Sequence, residues 1–239
     1  MQAMILAAGL GTRLRPWTLS HPKALVPVGG VPMLERVITR LKEQDFKRII
    51  VNVHHFADQV TDFLAANDFG VEIAVSDERE ELLDTGGAIL NASSLFSSEP
   101  VLIHNVDILS NADLRQLMSK HIESGADSTL LVSHRESSRK LIFDEKYRLR
   151  GWHNVKEGIY RPDGFVRQYA DKEYAFSGIH VVGSRLIEEM KRSESERKFS
   201  IIDFLLSAKD KCNIGGYVQN GLELIDIGKP ETLKLADSF

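Results

Sequence analysis

Two glycines, two arginines and a lysine stand close together near the start of this sequence: Gly9, Gly11, Arg13, Arg15 and Lys23, inside the run from Leu6 to Pro27. Glycine lets backbone N–H groups close on an anion because no Cβ intervenes. Arg13 and Arg15 add fixed positive charge with forked donors that suit phosphate. Lys23 lies on a segment stiffened by Pro22 and Pro27 and supplies one more cation. The local reading is a loop that grips phosphate. A second candidate is Asp107, directly after the apolar run Val101 to Val106. It either caps the following helix, for which Ser110 and Asn111 are better placed, or holds a cation at the end of a strand.

Three familiar phosphate motifs do not fit. No Gly-x-x-x-x-Gly-Lys-Ser/Thr run is present. The dinucleotide fingerprint wants a third glycine where Leu14 stands, and Pro16 soon blocks a regular helix. The next strand ends at Asn52, Val53 and His54 without an acid, so NAD is disfavoured. The partner motifs of a kinase glycine-rich loop are absent.

The elements that must position these groups follow from periodicity. Met4 to Ala7, Ile49 to Val53, Val71 to Val75, Val101 to Val106 and Ser128 to Val132 read as buried strands. Helical spacing recurs at Leu34, Val37, Ile38 and Leu41 after Pro32, at Val60, Phe63 and Leu64, and at Leu114, Leu117, Met118, His121 and Ile122. Gly86 and Gly87 stand ahead of a helix carrying Ile89, Leu90 and Leu95. Strand–helix alternation predicts an α/β fold, a Rossmann-like mixed, mostly parallel sheet flanked by helices. Ligands of such sheets bind beyond the carboxyl ends of the strands, where the Gly9–Arg15 loop leaves the first strand. From Arg135 to Lys172 the pattern loosens into short strands near Leu141, Leu149 and Ile159. Ala175 to Val182 returns to the sheet, Ser200 opens a helix, Val218 lies on a later strand, Leu224 to Gly228 ends the sheet, and Pro230 starts a last helix.

Composition narrows the partners. Hydrophobic content of 43% and charged content of 27% are ordinary for a globular chain of 239 residues. A net charge of −4 gives no pull toward nucleic acid or an anionic membrane. Residues 135–172 nevertheless carry ten Lys/Arg against six Asp/Glu, a basic stretch that fits either an anionic small molecule or a solvated, variable hairpin region. The single cysteine, Cys212, fits a reducing cytoplasm and reads as structural. The first Lys or Arg is Arg13, so the N-terminal apolar run is a core strand rather than a signal peptide. His54-His55 lacks a third ligand at sensible spacing and reads as loop.

The stretch from Leu6 to Pro27 resembles the signature of the sugar-1-phosphate nucleotidyltransferases, Leu-Ala-Gly/Ala-Gly-x-Gly-Thr-Arg-Leu-x-Pro-x-Thr followed by Pro-Lys-x-x-x-Pro. The resemblance implies the nucleotide-diphospho-sugar transferase fold over residues 1–239, with 135–172 as an inserted sugar-binding and dimerisation region, and no room for the β-helical domain of longer relatives. It implies a cytoplasmic enzyme whose partners are an NTP, a sugar 1-phosphate and a second copy of the chain. Mg²⁺ is the implied cofactor, on Asp107 and Asp226. Val106 stands in the glycine usual before the first of these, and Leu224 and Lys229 replace the aromatic and Thr around the second. Arg13, Lys23 and Asp107 are the implied catalytic residues. Ala8, Gly9, Gly11, Thr12, Arg13, Lys23 and Gly86 are implied to hold the nucleotide, and Thr85, Gly87, Asn105, Phe176, Ser177 and Gly178 the sugar. The Glu-Lys-Pro motif that gives relatives a further phosphate lysine is missing. Thr85-Gly86-Gly87 and Phe176-Ser177-Gly178 are most similar to the short muramate-type uridylyltransferases, so UTP with N-acetylmuramate 1-phosphate is expected. GTP with mannose 1-phosphate or another hexose 1-phosphate is the alternative, and a non-catalytic nucleotide-sugar-binding regulator is the alternative class.

Overall fold

A ten-stranded sheet organises the chain, and the computed structural model describes residues 1–194, 196–228 and 231–233. Its strands are β1 (Gln2–Leu6), β2 (Arg48–Val53), β3 (Glu72–Asp77), β4 (Val101–Asn105), β5 (Ser128–Ser133), β6 (Arg139–Phe143), β7 (Leu149–Asn154), β8 (Ile159–Arg161), β9 (Lys172–Val182) and β10 (Ile214–Val218). β3, β2, β1 and β4 run side by side and parallel. β9 is antiparallel to β4, and β5 and β10 complete the far edge. The N-terminal half of β9 turns away to pair with β6, which carries β7 and β8 as an antiparallel extension. The loose region 135–172 is therefore built onto one strand of the main sheet.

Helices cover the two faces: α1 (Met33–Glu43), α2 (Ala57–Ala66), α3 (Asp84–Ala92), α4 (Leu114–Ser124), α5 (Ser184–Ser193) and α6 (Ile201–Ala208). Side chains alternate across a strand. Ala3 and Ile5 of β1 thus face the core shared with α1, α2 and α4, while Met4 faces the core shared with α3, α5 and α6. Strands buried on both faces need continuous apolar runs, which is why the parallel strands were conspicuous in the sequence.

Several local expectations are corrected. Gly86 and Gly87 lie inside the first turn of α3 rather than ahead of it. A Cβ on Gly86 would collide with the Phe199 ring and one on Gly87 with the Arg197 carbonyl, so these glycines admit a neighbouring chain segment. Asp113, not Ser110 or Asn111, caps α4, its carboxylate accepting the Gln116 N–H at 2.8 Å. Ile122 has helical spacing but is exposed, because it falls at the rim of the buried stripe. Leu224–Asp226 does not end the main sheet. It pairs instead with Ile108–Ser110 in a separate two-stranded ribbon. Val71 lies just outside β3, an edge strand whose residues are mostly half-buried or exposed. Lys229 and Pro230, and with them the expected start of a last helix, lie outside the described residues. Among the described residues no helix is long and apolar enough to cross a membrane.

Candidate functional site

The phosphate loop leaves β1 at its carboxyl end and is fixed by contacts that explain its glycines. Gly11 has φ +60, in the left-handed region where a side chain is strained. A Cβ there would lie 2.9 Å from Cβ of Lys23 and 3.0 Å from Cγ2 of Thr18. Gly11 therefore lets the Lys23 segment fold back against the loop. The Thr18 hydroxyl donates to the Gly11 carbonyl at 2.9 Å and locks that approach. Asn52, at the end of the adjacent β2, accepts the Ala7 N–H at 2.6 Å and donates to Oε1 of Glu78 at 2.9 Å. The two bonds tie the start of the loop to two neighbouring strand ends. Burial raises the pKa of Glu78, an effect its hydrogen bond from Asn52 opposes, and its Oε2 has no hydrogen-bond partner among the described residues.

Lys23, brought back by this fold, makes an ion pair with Oδ2 of Asp107, just past the end of β4. Both side chains are largely buried, at 12% and 15% exposed. The expected Val106 substitution has a plain structural outcome. Its side chain packs into the core, and its N–H donates to the Leu6 carbonyl at 3.2 Å, prolonging the β1–β4 pairing by one residue. Asp107 is thereby aimed along the loop rather than into the sheet.

Asp226 reaches the same place from the two-stranded ribbon. The Ile227 N–H donates to the Asp107 carbonyl at 2.9 Å, and the Gly228 N–H to Oδ1 of Asp226 at 2.8 Å. A Cβ on Gly228 would lie 2.7 Å from Nη2 of Arg13, 2.8 Å from Oδ1 of Asp226 and 3.3 Å from Oδ2 of Asp107. Arg13, Asp107 and Asp226, far apart in sequence, thus converge on one small volume that only glycine leaves open. Among the described residues no group of three His, Cys, Asp or Glu side chains gathers to hold a metal. Two hard carboxylates in one place suit Mg²⁺, which characteristically takes its remaining ligands from water and substrate phosphate.

The first of two cavities takes in Lys23 and Asp107 of this cluster. The first, about 280 Å³, is lined by Ala8, Gly9, Lys23, Asn105, Asp107 and Thr85, together with Asn52, Glu78, Asp84 and Lys198. Asp84 sits at φ +59, a strained backbone for a non-glycine residue, with its carboxylate accepting the Thr85 N–H at 2.6 Å. The second, about 500 Å³, is lined by Phe176, Trp152, Asn154, Ser200 and a basic set, Arg135, Arg139, Lys140 and Arg161. Contacts next to the two linings link them: the Thr85 hydroxyl accepts the Ile201 N–H at 3.0 Å, and a Cβ on Gly178, at φ +78, would lie 3.0 Å from the Asn105 amide.

The remaining sequence candidates are distributed around this frame. Thr12 is exposed on the loop. The amides of Gly86 and Gly87 are already engaged, donating to the Phe199 carbonyl at 2.9 and 3.3 Å. Ser177 is fully buried, its hydroxyl donating to the Leu131 carbonyl at 2.7 Å, so it reaches the site through its neighbours Phe176 and Gly178. His104 is buried in β4, bonded to the Asn105 carbonyl at 2.8 Å, with its pKa pushed down to about 4 by burial, in line with a structural role. His54 bonds to the Glu78 carbonyl at 2.7 Å. Sequence reasoning missed Asn52, Glu78, Asp84, Arg135, Arg139 and Lys140. Only the excess of cations in 135–172 signalled any of them.

A family model described as nucleotidyl transferase matches residues 2–143. Together with the loop, the paired aspartates and the two cavities, this places the chain in the nucleotidyl transferase family, as one of its sugar-1-phosphate nucleotidyltransferases. Over 99% of its length it is 33% identical to the N-acetylmuramate alpha-1-phosphate uridylyltransferase of Caulobacter vibrioides and covers 95% of that protein. It is 35% identical to the mannose-1-phosphate guanylyltransferase of Mycobacterium tuberculosis over 54% of its own length, spanning 36% of that longer relative. The crystal structure of HddC from Yersinia pseudotuberculosis superposes with a TM-score of 0.78 at 25% identity, covering 99% of this chain and 98% of that one.

Proposed function

We propose that the chain transfers a uridylyl group from UTP to N-acetylmuramate 1-phosphate, giving UDP-N-acetylmuramate and pyrophosphate. The observation that carries the choice of sugar is the second cavity. Arg139 and Lys140 line it, and neither forms an ion pair among the described residues. Arg161, by contrast, is bonded to Asp203 at 2.7 Å. Two cations without counter-ions suit a sugar that carries a carboxylate in addition to its phosphate, as the lactyl group of muramate does. The similarity to the Caulobacter relative, 33% identity along nearly the full length of both chains, supports the same reading.

The reaction brings two polyanions together. An oxygen of the sugar phosphate forms a bond to the α-phosphorus as the bond from that phosphorus to the bridging oxygen breaks, and pyrophosphate leaves. The attacking phosphate monoester is already ionised, so no side chain has to take a proton. Positioning and charge stabilisation supply the catalysis. The Gly9–Thr12 loop receives the triphosphate. Arg13 steadies the departing β- and γ-phosphates, and Lys23 turns from Asp107 to the α-phosphate as the nucleotide enters. Asp107 and Asp226 would hold Mg²⁺, which neutralises phosphate charge when bound.

The test is pyrophosphate release across four nucleoside triphosphates and several sugar 1-phosphates, N-acetylmuramate, N-acetylglucosamine and mannose included. A maximum at UTP with N-acetylmuramate 1-phosphate is expected. Faster turnover of GTP with mannose 1-phosphate would overturn the substrate pair and leave the class standing. No release from any pair by folded, nucleotide-binding protein would favour a regulator.

A further inference from the structure

The two cations assigned so far to the reacting phosphates, Arg13 and Lys23, lie on the nucleotide side of the reacting centre. Arg13 and Lys23 both belong to the phosphate loop and its return segment. The phosphate of the incoming sugar has as yet no cation assigned to it.

We propose that Arg135 binds the phosphate of the attacking sugar phosphate and sets its line of approach to the α-phosphorus. Arg135 follows β5 by two residues and lines the second cavity. Its Nη2 donates to the Phe176 carbonyl at 2.8 Å, which anchors one edge of the guanidinium on β9. A guanidinium has five N–H donors in a fixed fork, so that single bond leaves a free edge for two phosphate oxygens. Arg135 forms no ion pair among the described residues. It is electrostatically coupled to Asp226, the member of the carboxylate cluster that comes from the ribbon. Phe176 is two residues from Gly178, whose Cβ position lies 3.0 Å from the Asn105 amide at the end of β4, so Arg135 links the basic cavity to that strand end, and Arg139 and Lys140 line the same cavity. The phosphate would be held at the Arg135 edge, with the sugar over Trp152 and Leu141 and any sugar carboxylate near Arg139 and Lys140. Arg135 in this position answers the absence of a Glu-Lys-Pro lysine.

This assignment rests on the nucleotidyltransferase reading and on entry of the sugar phosphate through the second cavity, but not on which sugar is used. The test compares wild type with Arg135→Met, Arg135→Lys and Arg139→Met, using two sugar 1-phosphates that wild type turns over, one with and one without a carboxylate where both react. Arg135→Met is expected to lower kcat/KM for every sugar 1-phosphate by roughly 100-fold, with the nucleotide Kd changed by less than about twofold. Arg135→Lys, which keeps the charge and loses the fork, is expected to recover part of the loss. Arg139→Met is expected to change the preference between the two sugars. Equal kinetics for Arg135→Met and wild type would overturn the proposal. So would a loss confined to the carboxylate-bearing sugar, which would make Arg135 a reader of that group, or a rise in nucleotide Kd that accounts for the whole effect. If the productive sugar proves to be mannose, the substrate choice above fails while the Arg135→Met loss is still expected.

Discussion

The Lys23 ammonium rests on the Asp107 carboxylate across 84 residues of sequence, joining the return of the phosphate loop to the end of β4. Each side chain neutralises the other while no phosphate is present. A buried charge left alone is costly, so the pair holds both side chains in place until substrate arrives.

That pairing makes Lys23→Met doubly damaging. It removes the cation facing the α-phosphate and strips Asp107 of its partner. A fall in kcat of about 100- to 1,000-fold is expected, the usual cost of losing one donor to developing transition-state charge. Steady-state pyrophosphate release reads it. A change in KM alone would show that Lys23 contributes only to uniform binding.

Asp226 carries a different expectation, because its carboxylate touches no cation in an ion pair among the described residues. Asp226→Asn is expected to raise the Mg²⁺ concentration for half-maximal activity by roughly tenfold or more, the scale seen when metal sites lose supporting groups. Its thermal unfolding is expected to match wild type within a few degrees. A Mg²⁺ titration that superposes on wild type would remove Asp226 from the metal site.

Gly86 tests packing rather than chemistry. Gly86→Ala places a methyl group against the Phe199 ring and must push α3 away from the segment before α6. A loss of about 1–3 kcal/mol in a urea melt is expected, as for other overpacked sites. An alanine variant as stable as wild type would mean that this segment yields easily.

Acid should weaken the fold. Burial pushes the pKa of His180 down to about 3 and that of His104 to about 4, against an ordinary value of 6.5. Neither ring nitrogen of His180 has a hydrogen-bond partner among the described residues. Both histidines stay neutral in the folded protein, while the unfolded chain takes up protons below about pH 6.5. Their contribution to stability is complete above that value and is lost progressively as pH falls toward 4 and then 3. The urea midpoint is expected to drop between pH 7 and pH 5, and His180→Leu is expected to flatten that decline. An equal slope in the variant would place the acid sensitivity elsewhere.

The turn of the Gly9–Arg15 loop and the parallel strands were legible because each rests on a local rule. β1, β2 and β4 are buried on both faces and so carry continuous apolar runs, Ala3–Leu6, Ile49–Val51 and Val101–Ile103. Gly11 is there because only glycine fits between Lys23 and Thr18 at positive φ. The cap of α4 was misread because Ser110, Asn111 and Asp113 all have capping side chains, and the helix start decides among them. The place of Leu224–Asp226 was misread because a short apolar run carries no sign of its pairing partner. Arg135 and the second cavity were hidden for a deeper reason. Their position depends on β9 changing partners midway, from β4 and β5 to β6, and no spacing in the chain encodes that change.

The most direct measurement is the stoichiometry of the proposed reaction. UTP and N-acetylmuramate 1-phosphate are incubated with Mg²⁺, and UDP-sugar and pyrophosphate are quantified in one sample for wild type and Asp107→Asn. One pyrophosphate per UDP-sugar in wild type, and a loss of both products together in the variant that still melts cooperatively, is the predicted result. Pyrophosphate without UDP-sugar, or full turnover by Asp107→Asn, would contradict the account.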